Sequence, residues 1–230
     1  MKRLLLILVL LVAPILPVSA QQYYDIDVDL PSYPEMAPVP DSPVYYAPGV
    51  DSNYFFYDGL FWDYAGDNWY SSPWYNGPWV LVEPVYVPTY VLWVPCRFYR
   101  RPPAFFARWS PNRPPRWGEH WGADWQRRHN SVFSANVGIP VRAPLPTYQR
   151  QFTRENYPRG AMQSTLHVQN YGYHPHEPLN RQHYERRGMI PQPQPPQPVR
   201  QRTPQERVRE EAPPAQPALV QPAQRGERRY

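Results

Sequence analysis

From Val44 to Pro95 the chain reads VYYAPGVDSNYFFYDGLFWDYAGDNWYSSPWYNGPWVLVEPVYVPTYVLWVP, in which short runs of aromatic and β-branched residues are separated by the turn dipeptides Asp58-Gly59, Gly66-Asp67 and Asn76-Gly77. Such runs at close spacing are the pattern of antiparallel strands. Asp58-Gly59 is the strongest turn signal, because a two-residue type I′ turn needs positive φ at both positions and Asp-Gly tolerates it. That turn sets Tyr57 opposite Leu60, Phe56 opposite Phe61 and Phe55 opposite Trp62. Gly66-Asp67 closes a second hairpin, with Tyr64 opposite Trp69 on the face that holds Trp62. Asn76-Gly77 opens a third bend, and Pro78, which has no N–H, is confined to a strand start or an edge. The expected fold is a small all-β antiparallel meander of three to four short strands, from Asn53 to about Val82. Val85 to Val94 is expected to add another strand, kept at an edge by Pro88.

A different period follows in RWGEHWGADWQRRH, where Trp117, Trp121 and Trp125 recur at i, i+4 and i+8. On a helix this spacing gathers three indoles on one face. Pro115 suits a first helical turn, and Arg127 with Arg128 favours the negative end of the dipole. Gly118 and Gly122 weaken the helix by about 1 kcal/mol each. A Trp-striped helix is therefore expected over 115–129, and two placements suit it. It can dock on the sheet and complete a two-layer unit spanning about 44–130. Alternatively it lies at a membrane surface, with Trp at headgroup level and Arg on anionic lipid. Docking is favoured, because a three-stranded sheet is marginal without cover.

The N-terminus, MKRLLLILVLLVAPILPVSA, has the charged, apolar and small-residue regions of a signal peptide, with cleavage expected after Ala20. Pro14 and Pro17 interrupt the apolar run well short of a bilayer span, and no later stretch supplies a transmembrane helix. The expected location is the periplasm or the outer-membrane surface. Residues 21–43 read as an acidic, Pro-rich linker and 44–95 as the aromatic β module. Residues 96–130 form an Arg/Trp/Pro segment, and 131–187, broken by Pro140, Pro144, Pro146 and Pro158, read as irregular. Residues 188–230, dominated by Pro, Gln and Arg, read as a disordered tail that favours polyproline II.

Composition restricts the core. Proline is 34 of 230 residues, against roughly 5% in an average globular chain, so long helices and central strands are excluded over most of the sequence. Residues 21–95 carry acids and no Lys or Arg, whereas the arginines other than Arg3 all follow Cys96. The two parts should attract each other or separate partners. Lys2 is the only lysine, so every later cation is Arg, which forks onto carboxylates and phosphates and stacks on rings. The basic part suits an envelope protein, an anionic or glycan surface polymer, or simple solvation. Nucleic acid is not expected, since no binding motif is present. Cys96, the only cysteine, permits no intramolecular disulfide and reads as a tolerated free thiol or an intermolecular pair.

So many rings cannot all lie on one face of a small sheet. Either a second layer covers the other face, or an aromatic patch is exposed as a binding site. In the second case Trp62, Trp69 and Trp79 would stack on a sugar ring beside Asp58 and Asp63, whose carboxylates would accept its hydroxyl hydrogens, with Trp117, Trp121 and Trp125 as further binding candidates. In the first case the same rings are core. The run YFFYDGLFWDYAGDNWYSSPWYNGPW, with RPPRWGEHWGADWQRRH after it, resembles a group of exported, Tyr/Trp-rich proteins of Gram-negative bacteria that share aromatic hairpins ending in Gly-Pro-Trp, here Gly77-Pro78-Trp79. The resemblance covers about residues 44–129; it implies an envelope location and supplies no catalytic residues. No nucleophile with a base, zinc pattern or phosphate loop stands at a diagnostic spacing. His174-Pro-His176 offers two weak ligands, so no metal, cofactor or catalysis is expected.

Overall fold

Seven strands make one antiparallel sheet in the computed structural model, which describes residues 23–24, 26, 28–132 and 139–189. They are β1 (Tyr23–Tyr24), β2 (Ala37–Pro38), β3 (Tyr45–Tyr46), β4 (Asn53–Tyr57), β5 (Leu60–Ala65), β6 (Asn68–Ser72) and β7 (Trp79–Val82), in the spatial order β1-β7-β6-β5-β4-β3-β2. Residues 1–20, expected as a signal peptide, and residues 190–230 lie outside the described residues.

The central meander has the expected register. Tyr57 pairs with Leu60, Phe56 with Phe61, Phe55 with Trp62 and Tyr64 with Trp69. Asp58 and Gly59 have φ of 49° and 86°, and Gly66 and Asp67 have 57° and 64°, so both turns use the left-handed conformation that their residues tolerate. Pro78 directly precedes β7, where its missing N–H removes no ladder bond.

The strand count is larger than the three to four expected. Three two-residue strands, β1, β2 and β3, extend the two edges of the sheet, and two of them come from the segment read as a linker. A pair of residues carries no period of 2, so nothing in the sequence marks them as strands. Pro38 is accommodated because β2 is an outermost strand. The strand expected over Val85–Val94 is absent: Pro84–Tyr86 is a 3-10 turn and Thr89–Leu92 a short helix, α1. Pro84 opens the first and Pro88 precedes the second, where the Leu92 N–H donates to the Pro88 carbonyl at 3.2 Å. Pro thus starts helical turns here instead of guarding a strand edge.

The Trp-striped helix, α2 (Trp117–Val132), docks on the sheet, which corrects the membrane-surface alternative for this face. Trp117 packs against Tyr64 and Trp69, with ring centroids 5.2 and 6.0 Å apart, and its indole N–H donates to the Leu92 carbonyl at 3.0 Å. The helix is broken at Gly122, whose φ of 85° and ψ of 170° are not helical. The column survives the break, with Trp117 stacked on Trp121 at 4.4 Å and Trp125 on His129 at 4.9 Å. Residues 131–187 are not wholly irregular, because α3 (Ala161–Asn170) and α4 (Pro178–Arg186) lie within them. Both begin beyond Pro158, in stretches short enough to fit between prolines.

Both faces of the sheet are buried. Phe55, Tyr57, Leu60, Trp62, Tyr64 and Trp69 meet residues 85–125, while Tyr54, Phe56 and Phe61 meet Val28, Val50, Tyr75, Trp79 and Ala143 on the opposite side. The second cover is held by polar side chains as much as by apolar contact. Gln149 is fully buried; its Oε1 accepts the Tyr75 N–H at 3.0 Å and its Nε2 donates to the Pro73 carbonyl at 2.9 Å. The Tyr157 hydroxyl accepts from the Asn76 N–H and donates to the Gly77 carbonyl, each at 2.9 Å. Gln149→Leu keeps the volume and leaves a buried donor and a buried acceptor unpaired, at about 1–3 kcal/mol each. Denaturant unfolding should show a loss of about 2–5 kcal/mol with an unchanged m-value, and hydrogen exchange should lose protection at Tyr75; a loss below 1 kcal/mol would show that Gln149 does not fasten this cover.

Candidate functional site

The rings proposed as a sugar platform do not share a surface. Trp62 and Trp69 lie on one face of the sheet and Trp79 on the other, with exposures of 1%, 0% and 3%. Trp117 and Trp125 are also buried, and Trp121 is half-buried between them. The structure places all six tryptophans in or against the core, so the reading that the rings are core describes them.

Asp58 is buried and structural. Its Oδ1 accepts the Tyr173 hydroxyl at 2.7 Å and the His176 N–H at 2.8 Å, and its Oδ2 accepts the Glu177 N–H at 2.8 Å and Asn180 Nδ2 at 3.1 Å. These donors stand at the entry to α4, whose N-cap residue Glu177 makes no cap bond of its own. The carboxylate that satisfies and complements this helix terminus therefore comes from a turn 118 residues earlier. Tyr184, one helical turn beyond Asn180, donates its hydroxyl to the Gly59 carbonyl at 2.5 Å. A Cβ on Gly59 would fall 2.6 Å from that hydroxyl, so Gly59 serves the contact as well as the turn.

Asp63 stands at the far end of β5 and is the one proposed acid in an unusual state. It is fully buried; Ser52 donates its hydroxyl to Oδ1, while Oδ2 has no hydrogen-bond partner among the described residues. Burial pushes its pKa up to about 7, and the Ser52 bond only partly opposes this. The group lines a cleft of about 310 Å³ with Asp51, Asp67 and Arg101. Arg101 forks onto Asp51, holding that carboxyl below its usual range, and His120 Nε2 lies 2.7 Å from Asp67 Oδ1. A carboxyl that is neutral below about pH 7 can donate or accept one hydrogen bond there. Among the described residues no three ligating side chains gather for a metal, and His176 of the His-Pro-His pair faces Asp58. Ser52 and Arg101, which line this cleft, and His120, which meets Asp67, carried no signal in the sequence, because only folding brings them to these acids.

Cys96 is buried, and burial raises its thiol pKa, which suits an inert free thiol. The acidic and basic parts of the chain do meet, through Arg101 with Asp51 and Arg154 with Asp29. Among the described residues only two further arginines, Arg116 and Arg127, pair with a carboxylate, so most of the exposed guanidinium groups have no carboxylate beside them. No family model, curated protein or solved structure matches this chain.

Two outcomes follow for stability. Asp58→Asn keeps a residue that tolerates positive φ but replaces an acceptor with a donor facing N–H groups; it should cost about 2–4 kcal/mol and release α4 to hydrogen exchange. An unchanged midpoint would remove Asp58 as the anchor. The second concerns pH. Burial pushes His167 down to about 4 and His183 to about 3, whereas an unfolded histidine titrates near 6.5. As pH falls from about 6.5 to 4 the unfolded chain binds protons that these two residues refuse, so stability falls. Asp63 acts in the opposite sense, holding its proton up to about 7 while an unfolded Asp releases it near 3.9, so its contribution is lost as pH rises through that window. At about 1.4 kcal/mol per pH unit per group, two histidines outweigh one acid, and the further shifts at His129, lowered by burial, and Glu177, raised by burial, act in opposite senses. Unfolding free energy should rise by about 1.4 kcal/mol per unit from pH 4.5 to 6 and about twice as steeply in Asp63→Asn; a flat or falling profile would contradict the buried neutral histidines.

Proposed function

We propose that this chain is a non-catalytic, exported cell-envelope protein that associates with an envelope protein or an anionic surface polymer. The contact surface is the arginine-rich exterior of the aromatic β unit, together with the Arg/Pro-rich segment at 188–230. The observation that carries this reading is the partition of side chains: the large rings are buried on both faces of the sheet, and exposed arginines without carboxylate partners cover the outside. An arginine surface of this kind attracts polyanions at long range and forks onto phosphate, sulfate or carboxylate at short range. Sugar stacking on Trp62, Trp69 and Trp79 loses its support, because none of the three presents a face to a ligand. A non-catalytic role is supported by the employment of the acids: Asp58 fastens α4, Asp51 is paired with Arg101, Asp67 is bonded to His120, and Asp63 is buried with only the Ser52 hydroxyl on its carboxyl among the described residues. The apolar N-terminus supports export, and among the described residues no helix is long and apolar enough to cross a membrane.

Association driven by exposed guanidinium groups is screened by salt, since the Debye length falls from about 10 Å at 0.1 M to about 3 Å at 1 M. The chain without Met1–Ala20 should be retained on dextran sulfate at about 0.05 M salt, be released well before 1 M, and pass through neutral dextran. Retention on neutral dextran at 1 M salt would overturn the electrostatic reading and restore a stacking site.

A further inference from the structure

A cavity of about 600 Å³ opens between the Asn76-Gly77-Pro78 bend, the N-terminal end of α3 and the C-terminal end of α4. Its size lies within the roughly 300–1,000 Å³ of small-molecule sites. Three arginines line it, Arg159, Arg186 and Arg187, and among the described residues no acid does. Among the described residues no carboxylate pairs with any of the three. Arg159 and Arg186 are exposed, but Arg187 is half-buried. Its guanidinium lies 5.1 Å from the centre of the Tyr23 ring, Nη2 donates to the Pro78 carbonyl at 3.3 Å, and Nε is buried with no partner. Burial lowers the Arg187 pKa, the sign of a charge held away from water without an anion beside it.

The other walls complete a recognisable chemistry. Pro78, Tyr157 and Pro158 supply flat apolar surface, and Ser164 and Asn76 supply short polar groups. The walls are fixed by hydrogen bonds: the Tyr157 hydroxyl and Gln163 Nε2 both donate to the Gly77 carbonyl, at 2.9 and 3.1 Å. Ser164 donates to the Arg187 carbonyl at 2.8 Å and ties the two helices at the rim. At the mouth, Gly160 has φ of 53° and caps α3 without a side chain, so the positive end of that helix adds to the arginine field.

From this arrangement we infer that the cavity binds a phosphate group carried on a polar body about the size of one sugar, with Arg159, Arg186 and Arg187 around the phosphate and the ring against Tyr157 and the prolines. Phosphate is favoured over a carboxylate because several guanidinium groups can each fork onto its oxygens. The inference deepens the association with anionic envelope surfaces proposed above by naming one discrete site. It differs from that reading in requiring shape and a small number of arginines, not total charge.

The test uses the chain without Met1–Ala20 and the variant Arg159→Gln/Arg186→Gln, whose two side chains are exposed and make no hydrogen bond among the described residues. Calorimetric titration with glucose 1-phosphate should give saturable binding, glucose should give none, and the variant should bind at least tenfold more weakly with the same thermal midpoint. Vesicles of phosphatidylcholine with phosphatidic acid form the second arm: binding there, lost in the variant, assigns the phosphate to a lipid headgroup, and binding of glucose 1-phosphate alone assigns it to a soluble sugar phosphate. No binding in either arm, or equal binding by the variant, overturns the site. Dextran sulfate retention separates the two proposals, because the variant keeps the other exposed arginines and should still be retained. Loss of retention in step with glucose 1-phosphate binding would show general charge in place of a cavity.

Discussion

Successive residues of a strand point to opposite faces, so a strand such as Tyr54-Phe55-Phe56-Tyr57 is aromatic on both sides of its sheet and can leave neither to water. The same is true of Leu60-Phe61-Trp62 beside it. Every other part of the described structure follows from this constraint. Residues 85–125, with Tyr184 and Met189, pack on one face, and Val28, Ala47, Val50 and Ala143, from either side of the meander, pack on the other. A chain this rich in Pro cannot build either cover from long helices or added sheets. It uses short turns, which lie flat and carry one or two rings each.

Covers of that kind lack backbone ladders, and side chains supply the missing hydrogen bonds. Asp58, Gln149 and Tyr157 each satisfy two or more donors or acceptors of a segment far away in sequence. Asn53 does the same from β4, where Nδ2 donates to the Tyr64 and Arg101 carbonyls and Oδ1 accepts the Arg101 N–H. The energetic weight of such groups lies less in the bond gained than in the buried partner left unpaired if the side chain is lost. The fold is therefore sensitive at a few polar positions that look unremarkable in the sequence.

The same partition shapes the surface. Burial uses the rings, so what remains outside is guanidinium, carboxylate and proline. Among the described exposed acids, Asp51, Asp67 and Asp29 meet Arg101, His120 and Arg154 from later in the chain, and most of the exposed arginines have no carboxylate beside them. The cavity beside Arg187 gathers three of these arginines, and in the cleft at Asp63 that acid is buried while the Asp51–Arg101 pair lining the same cleft is exposed.

The two hairpins, their registers and the placement of Pro78 were legible in the sequence because each depends on neighbours within a few residues: Asp-Gly and Gly-Asp dictate the turn, and the turn dictates which ring meets which. The i, i+4, i+8 spacing of Trp117, Trp121 and Trp125 likewise marked a helical face, although the break at Gly122 was visible only as a weak point. Tertiary structure alone decided the remainder. The two-residue strands β1, β2 and β3 exist only because an edge is there to receive them, and the helical turns at Pro84 and Pro88 because the sheet face needed cover and not another strand. Asp58 and Asp63 are five residues apart with the same side chain, yet one is fully engaged by a helix terminus and the other is nearly alone. Local sequence carries no information on which distant donors arrive, and the chemistry of a buried carboxylate is set by those donors and by the water they exclude.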